Sequence, residues 1–173
     1  MAEQADYTAR GAINNAAQGG DAGATIGRQM DELASELEKN LMPGTMVERV
    51  SEGIQVTISA GSLYGFESSV LQGGDSEDLK HLATSLKKYP DTDLFIVAHT
   101  DDSGSRRYTD GLSTRRADAT SEYLAAQGVA MGRIKTVGKG KAEPVATNAN
   151  EIGKRSNRRI EVAIYAKAAA SSR

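Results

Sequence analysis

Hydrophobic positions along the chain fall into recognisable periods from Arg28 onward. Met30, Leu33, Leu37 and Leu41 recur at helical spacing on one face, and Asp31, Glu32, Glu36, Glu38 and Lys39 fall mostly elsewhere. This predicts an amphipathic helix, ended by Pro43 and Gly44. Two extended segments follow, over 46–50 and 53–59. In the second, Ile54, Val56 and Ile58 alternate with Gln55, Thr57 and Ser59, as a strand with one buried face requires. A hairpin through 51–53 joins them. Leu79, Leu82, Ala83 and Leu86 predict another helix, capped by Asp75 or Ser76 and stopped by Tyr89-Pro90. The continuous apolar run 94–98 suits a central strand covered on both faces. A loop over 99–107 leads to a helix of about 109–127, with Gly128 at its C-terminal cap. A strand over 133–137, a Gly/Pro/Asn-rich loop over 138–150 and a helical turn near 151–154 come next. The last strand, 159–165, turns Ile160, Val162 and Ile164 inward against Glu161 and Ala163. This order predicts an α+β fold of two layers, a mixed sheet of βαβαβ type packed on helices.

Before this pattern the chain is different. Residues 1–27 are mostly Ala, Gly, Asn, Gln and Thr, with no apolar period strong enough to close a core. Gly19, Gly23 and Gly27 recur every four residues, a spacing that lets helices pair closely in membranes. The plainer reading, a flexible glycine-rich linker, is preferred because Gln18, Asp21 and Arg28 lie among them. The expected organisation is therefore a Gly/Ala-rich segment at 1–27, an amphipathic helix and extended connection at 28–52, one folded domain at 53–166, and a polar tail at 167–173.

Composition narrows the chemistry. A formal net charge of -2 lacks the cationic excess that phosphate binding needs, so nucleic acid is not the expected partner. The absence of cysteine excludes disulfides, a thiolate nucleophile and a cysteine zinc site, and two histidines leave little for metal chemistry. No cofactor is implied. No apolar run approaches the ~20 residues of a membrane helix.

Candidate chemistry gathers after the central strand, where ligands of such sheets tend to bind. His99-Thr100-Asp101-Asp102-Ser103-Gly104-Ser105 sits there, followed by Leu112-Ser113-Thr114-Arg115-Arg116-Ala117 on the next helix. An acid at the loop start and an arginine about two helical turns beyond it can face each other across a cleft. On pattern alone the preferred reading is an ordinary surface ion pair, which contributes little.

Four blocks in order resemble the OmpA-like peptidoglycan-binding domain of outer-membrane OmpA-type proteins, peptidoglycan-associated lipoproteins and flagellar stator proteins. They are Phe66 to Ser69 with Leu71, Ala98-His99-Thr100-Asp101, Leu112-Ser113 with Arg116-Ala117, and Asn157-Arg158-Arg159-Ile160-Glu161. The likeness runs from about Gly53 to Ala166. It implies an α+β OmpA-like domain whose ligand is the meso-diaminopimelate of the wall's stem peptide. Asp101 would accept hydrogen bonds from the ammonium, and the Arg116 guanidinium would hold the carboxylate through paired donors. Thr100, Thr109, Leu112, Asn157 and Arg158 are secondary candidates. Asn157 and Arg158 serve equally well as anchors of the last strand, and His99 reads as a loop-fixing residue.

Two positions depart from the family pattern: Ala98 stands where glycine is usual, and Thr109 where asparagine is common. Threonine still caps a helix but lacks the amide that can donate to a carboxylate. Lys139, Lys141, Lys154, Arg155, Arg158 and Arg159 form the one basic concentration, either solvated surface or a draw for an anionic polymer. The upstream glycine-zipper and acidic helix resemble, more loosely, OmpA-family envelope lipoproteins. That implies a periplasmic protein associated with the outer membrane through an upstream anchor.

An enzyme using His99, Asp101 and Asp102 is the rival, but it would lack a defined nucleophile or metal. The reading is therefore non-catalytic. The remaining alternative is an envelope assembly module, in which the N-terminal segments mediate homo-oligomerisation and wall affinity is weak or lost.

Overall fold

A computed structural model describes residues 8–18, 24–72 and 76–167. In chain order its elements are α1 (Ala9–Gln18), α2 (Ala24–Asn40), β1 (Met46–Val50), β2 (Gly53–Ser59) and α3 (Ala60–Leu63), then α4 (Glu77–Lys88), β3 (Thr92–His99) and α5 (Arg106–Ala126), and last β4 (Ile134–Gly140), α6 (Glu151–Asn157) and β5 (Arg159–Ala166). The strands form one mixed sheet in the order β1-β2-β5-β3-β4. Every pairing is antiparallel except β3 with β4, which run parallel and are joined through α5. The α+β expectation holds.

One face of the sheet carries the main core. Ile54, Val56 and Ile58 of β2, Leu94 and Ile96 of β3, and Ile160, Val162 and Ile164 of β5 lie beneath Leu33 and Leu37 of α2, Leu79 and Leu82 of α4, and Leu124 of α5. The period-2 and helical patterns of the sequence meet here. Each such fully buried side chain contributes roughly 1.5–3 kcal/mol.

The opposite face is also covered, and this corrects the reading of 9–18 as part of a flexible linker. Residues 9–18 form α1, whose Ala9 and Ile13 pack on Phe95, Val97 and Ala163. Two apolar residues suffice because the partner surface is already flat and apolar. Gly53 makes the approach possible, since a Cβ there would lie 2.6 Å from Ile13 Cγ2 and from the Ile164 carbonyl oxygen. Ala163, expected to face solvent, is consequently buried. α2 starts at Ala24, ahead of the expected Arg28. Gly19 and Gly23, like most of the 167–173 tail, lie outside the described residues.

Other boundaries shift for local reasons. Ser76 caps α4 by accepting from Leu79 N–H, whereas Asp75 lies outside the described residues. α5 begins at Arg106, three residues before the expected start, because Ser105 Oγ accepts from Tyr108 N–H. Arg133 is a buried anchor outside β4, donating to the carbonyls of Leu86, Tyr89 and Thr92 at the end of α4 and start of β3. The turn expected at 151–154 is the helix α6, continuing to Asn157.

The placement of α5 decides the geometry of the site. It lies so close to β4 that a Cβ on Gly138 would sit 2.3 Å from the Thr114 backbone nitrogen. Any larger residue there must push α5 outward.

Candidate functional site

A cleft of about 340 Å³ opens where β3 ends, between α5, α6 and the loop after α3. Asp101, Arg116, Thr100, Thr109, Leu112 and Arg158 all line it, so the structure brings together every predicted site residue except Asn157.

Asp101 is set by the backbone around it. Thr100 N–H donates to the Gly140 carbonyl, holding the end of β3 beside β4. Asp101 Oδ1 then accepts from Ser103 N–H at 2.9 Å, and Oδ2 accepts from Arg158 Nη1 at 2.5 Å. Burial disfavours the charged carboxylate, but the Ser103 N–H and the Arg158 guanidinium outweigh it and hold Asp101 below the ordinary carboxylate value.

Arg116 is differently placed. Only 4 % of it is exposed. Its Nε donates to the Ser68 carbonyl at 2.8 Å and its Nη2 to the Gly65 carbonyl at 3.4 Å. The guanidinium carbon lies 5.5 Å from the centroid of the Tyr64 ring. Tyr64 is itself fixed, its hydroxyl donating to the Arg116 carbonyl and meeting Thr120 Oγ1. No acidic side chain among the described residues forms an ion pair with Arg116. Burial accordingly lowers its proton affinity. A buried cation without an anion is costly.

Arg158 bridges Asp101 and Glu151, at 2.5 Å to each. It therefore lies against the carboxylate proposed to take the ligand's ammonium, a link the sequence left open. Thr100 Oγ1 donates to the Asp101 carbonyl, and Thr109 Oγ1 to the Arg106 carbonyl, so both hydroxyl protons are spent locally. Leu112 supplies an apolar wall.

Asn157 stands apart from the cleft. Fully buried, it accepts from Val145 and Ala146 N–H and donates to the Ala146 carbonyl and Asn148 Oδ1, holding the loop before α6. His99 is buried with Nε2 3.7 Å from Glu161 Oε2 and does not line the cleft. The basic concentration is locally balanced: Lys139 faces Glu143, Lys154 faces Asp102, and Arg159 pairs with Glu161 at 2.7 Å.

Sequence reasoning missed Tyr64 and the Gly65 and Ser68 carbonyls. Main-chain acceptors carry no residue signature, although the early block at Phe66 to Ser69 marked the right loop.

The OmpA family model matches residues 63–158, more than half of the chain and every element around the cleft. The chain belongs to the OmpA family. It is 41% identical over 105 residues to outer membrane porin F of Pseudomonas fluorescens, covering 61% of this chain and 32% of that protein. Against the probable lipoprotein YiaD of Escherichia coli it is 34% identical over 144 residues, covering 82% of this chain and 65% of the other. Against the peptidoglycan-binding protein ArfA of Mycobacterium tuberculosis it is 39% identical over 101 residues, covering 58% and 31%. The chain thus spans between about a third and two thirds of the length of these relatives.

Among solved structures, a MotB-like protein from Desulfovibrio vulgaris superposes with a TM-score of 0.73 at 18% identity, covering 86% of this chain and 95% of the other, and shows the same fold. The cell wall anchor of the T6SS from Pseudomonas aeruginosa gives 0.65 at 26% identity, covering 82% and 97%.

Proposed function

We propose that this OmpA-family domain binds peptidoglycan non-covalently, through the diaminopimelate of the stem peptide, and tethers the cell envelope to the wall. One observation carries the reading: Arg116 is buried, braced and without an acidic partner among the described residues, in a cleft that the Asp101 carboxylate also lines. A ligand centre bearing both a carboxylate and an ammonium answers that pair. The carboxylate takes the donors of Arg116 that the Gly65 and Ser68 carbonyls leave open. The ammonium joins or displaces Arg158 at Asp101. Relatives whose names specify peptidoglycan binding and cell-wall anchoring support this assignment.

Nothing in the arrangement activates a nucleophile. Asp101 is held ionised against Arg158, which suits binding a cation and not abstracting a proton. Relatives named as an outer membrane porin and a lipoprotein support a place in the bacterial envelope.

The test is cosedimentation with purified diaminopimelate-type wall sacculi. The protein should pellet with sacculi, and Asp101→Asn and Arg116→Met should each stay in the supernatant while remaining folded by circular dichroism. Folded variants that pellet like the parent would overturn the reading. Concentration-dependent mass without any wall affinity would favour the assembly module.

A further inference from the structure

The turn Gly65-Phe66-Glu67-Ser68 does more than hold Arg116. Ser68 N–H donates back to the Gly65 carbonyl at 3.0 Å, closing a β-turn. Its third residue, Glu67, sits at φ +53°, where glycine or asparagine is favoured. The turn is braced on three further sides: Gln72 N–H donates to the Leu63 carbonyl, Tyr64 bridges Leu71, and Arg116 Nε donates to the Ser68 carbonyl. Such bracing is what a strained residue needs in order to persist.

What this rigid turn displays is Phe66, 89% exposed and lining the same cleft as Asp101 and Arg116. Arg158, Glu151 and Lys154 also line the cleft, whereas Phe66 and Glu67 belong to the turn whose Ser68 carbonyl accepts from Arg116. A ligand whose carboxylate rests on Arg116 shares the cleft with the Phe66 ring, which its neighbouring atoms can meet. Those atoms must be apolar to profit from it.

We propose that Phe66 is a specificity-determining contact for the stem peptide attached to the held residue, its ring packing on the peptide's main chain and alanine methyl group. This rests on the diaminopimelate reading. It adds that the domain prefers diaminopimelate within a peptide to the free amino acid. The turn's backbone is braced before binding, so only the side chain of Phe66 has to be ordered.

The test is calorimetric titration of the full chain, and of its Phe66→Ala, Val70→Ala and Arg116→Met variants, with three probes. These are free meso-diaminopimelate, a sugar-free stem tetrapeptide containing it, and the same tetrapeptide on its disaccharide. Phe66→Ala should keep its melting temperature, because the side chain is exposed. It should bind the tetrapeptide about tenfold more weakly and free diaminopimelate within about twofold of the parent. Val70, 74% exposed but outside the cleft lining, should be replaceable by alanine without effect.

Equal tetrapeptide affinity in the parent and Phe66→Ala would overturn the proposal and leave the Asp101–Arg116 reading intact. So would a loss seen only with the disaccharide, which would assign the ring to sugar, or an equal loss in Val70→Ala, which would mark a nonspecific apolar patch. Failure of the parent to bind any probe, or undiminished binding by Arg116→Met, would instead sink the diaminopimelate reading, and this proposal with it.

Discussion

Replacing Arg116 by methionine should abolish ligand binding while leaving the free protein about as stable as before. The guanidinium makes one good charge-assisted hydrogen bond, to the Ser68 carbonyl at 2.8 Å, worth about 1.5–3 kcal/mol. The 3.4 Å contact to Gly65 adds little, and the cation–π contact with Tyr64 about 1 kcal/mol. Against these stands the desolvation of a cation with no acidic partner among the described residues, which costs several kcal/mol. Methionine keeps the apolar stem and removes the charge, so the net change should lie within about 1 kcal/mol of zero.

Urea unfolding of the ligand-free proteins measures this term, and ligand-induced stabilisation measures the other. At a ligand concentration of about 100 times Kd the parent should gain roughly 2.7 kcal/mol, and Arg116→Met nothing. A loss above about 3 kcal/mol in the free variant would refute the reasoning. It would mean that Arg116 chiefly clamps the Gly65–Ser68 turn and that its charge is not waiting for a ligand.

Other substitutions separate support from recognition. Asn157→Ala removes four hydrogen bonds of a fully buried amide, so it should destabilise by about 3 kcal/mol in urea; a change under about 0.5 kcal/mol would show that the loop before α6 does not depend on it. Gly138→Ala brings a Cβ to 2.3 Å from Thr114 N and should destabilise by more than about 2 kcal/mol, with weakened wall binding as α5 moves; parental values for both would contradict the close α5–β4 packing. Asp101 has a folded value below its unfolded one, so its contribution to stability is complete above about pH 4 and is lost as pH falls through the folded value. Ligand affinity should therefore be flat from about pH 8 to 5 and fall only as pH drops through the folded value of Asp101, below the ordinary carboxylate value; a fall centred near about pH 6.5 would point to a histidine in the carboxylate's place.

Much of the fold was legible because burial on one face imprints a period. Ile54, Val56 and Ile58, and again Ile160, Val162 and Ile164, marked their strands, while Leu33 and Leu37 marked the helix above them. The apolar run 94–98 correctly required cover on both faces of β3. What supplied that cover was hard to read, since the helical period through Ala9, Ala12 and Ile13 is carried mostly by alanine among Asn and Gln. Their effect depends on Gly53, a contact between distant segments that no local pattern announces. Asp101 and Arg116 stood out only through the motif blocks, because single acids and arginines are common on any surface. Whether Asn157 faced the ligand or the loop was undecidable from its type, as an amide serves either. Arg158 at Asp101 was equally unreadable, since the pairing depends on how α6 brings the two together across 57 positions.

The central claim is that Arg116 holds the far carboxylate of diaminopimelate within a stem peptide, a group that lysine in the same peptide position lacks. Isothermal titration of a stem peptide containing meso-diaminopimelate and, separately, of the same peptide containing lysine into the protein at low salt tests it most directly, because the contact is ionic. Binding of the diaminopimelate peptide with at least about thirtyfold preference over the lysine peptide is the expected result, the equivalent of about 2 kcal/mol for one buried charge left unpaired. Equal affinity for the two, or none for either, would contradict the account.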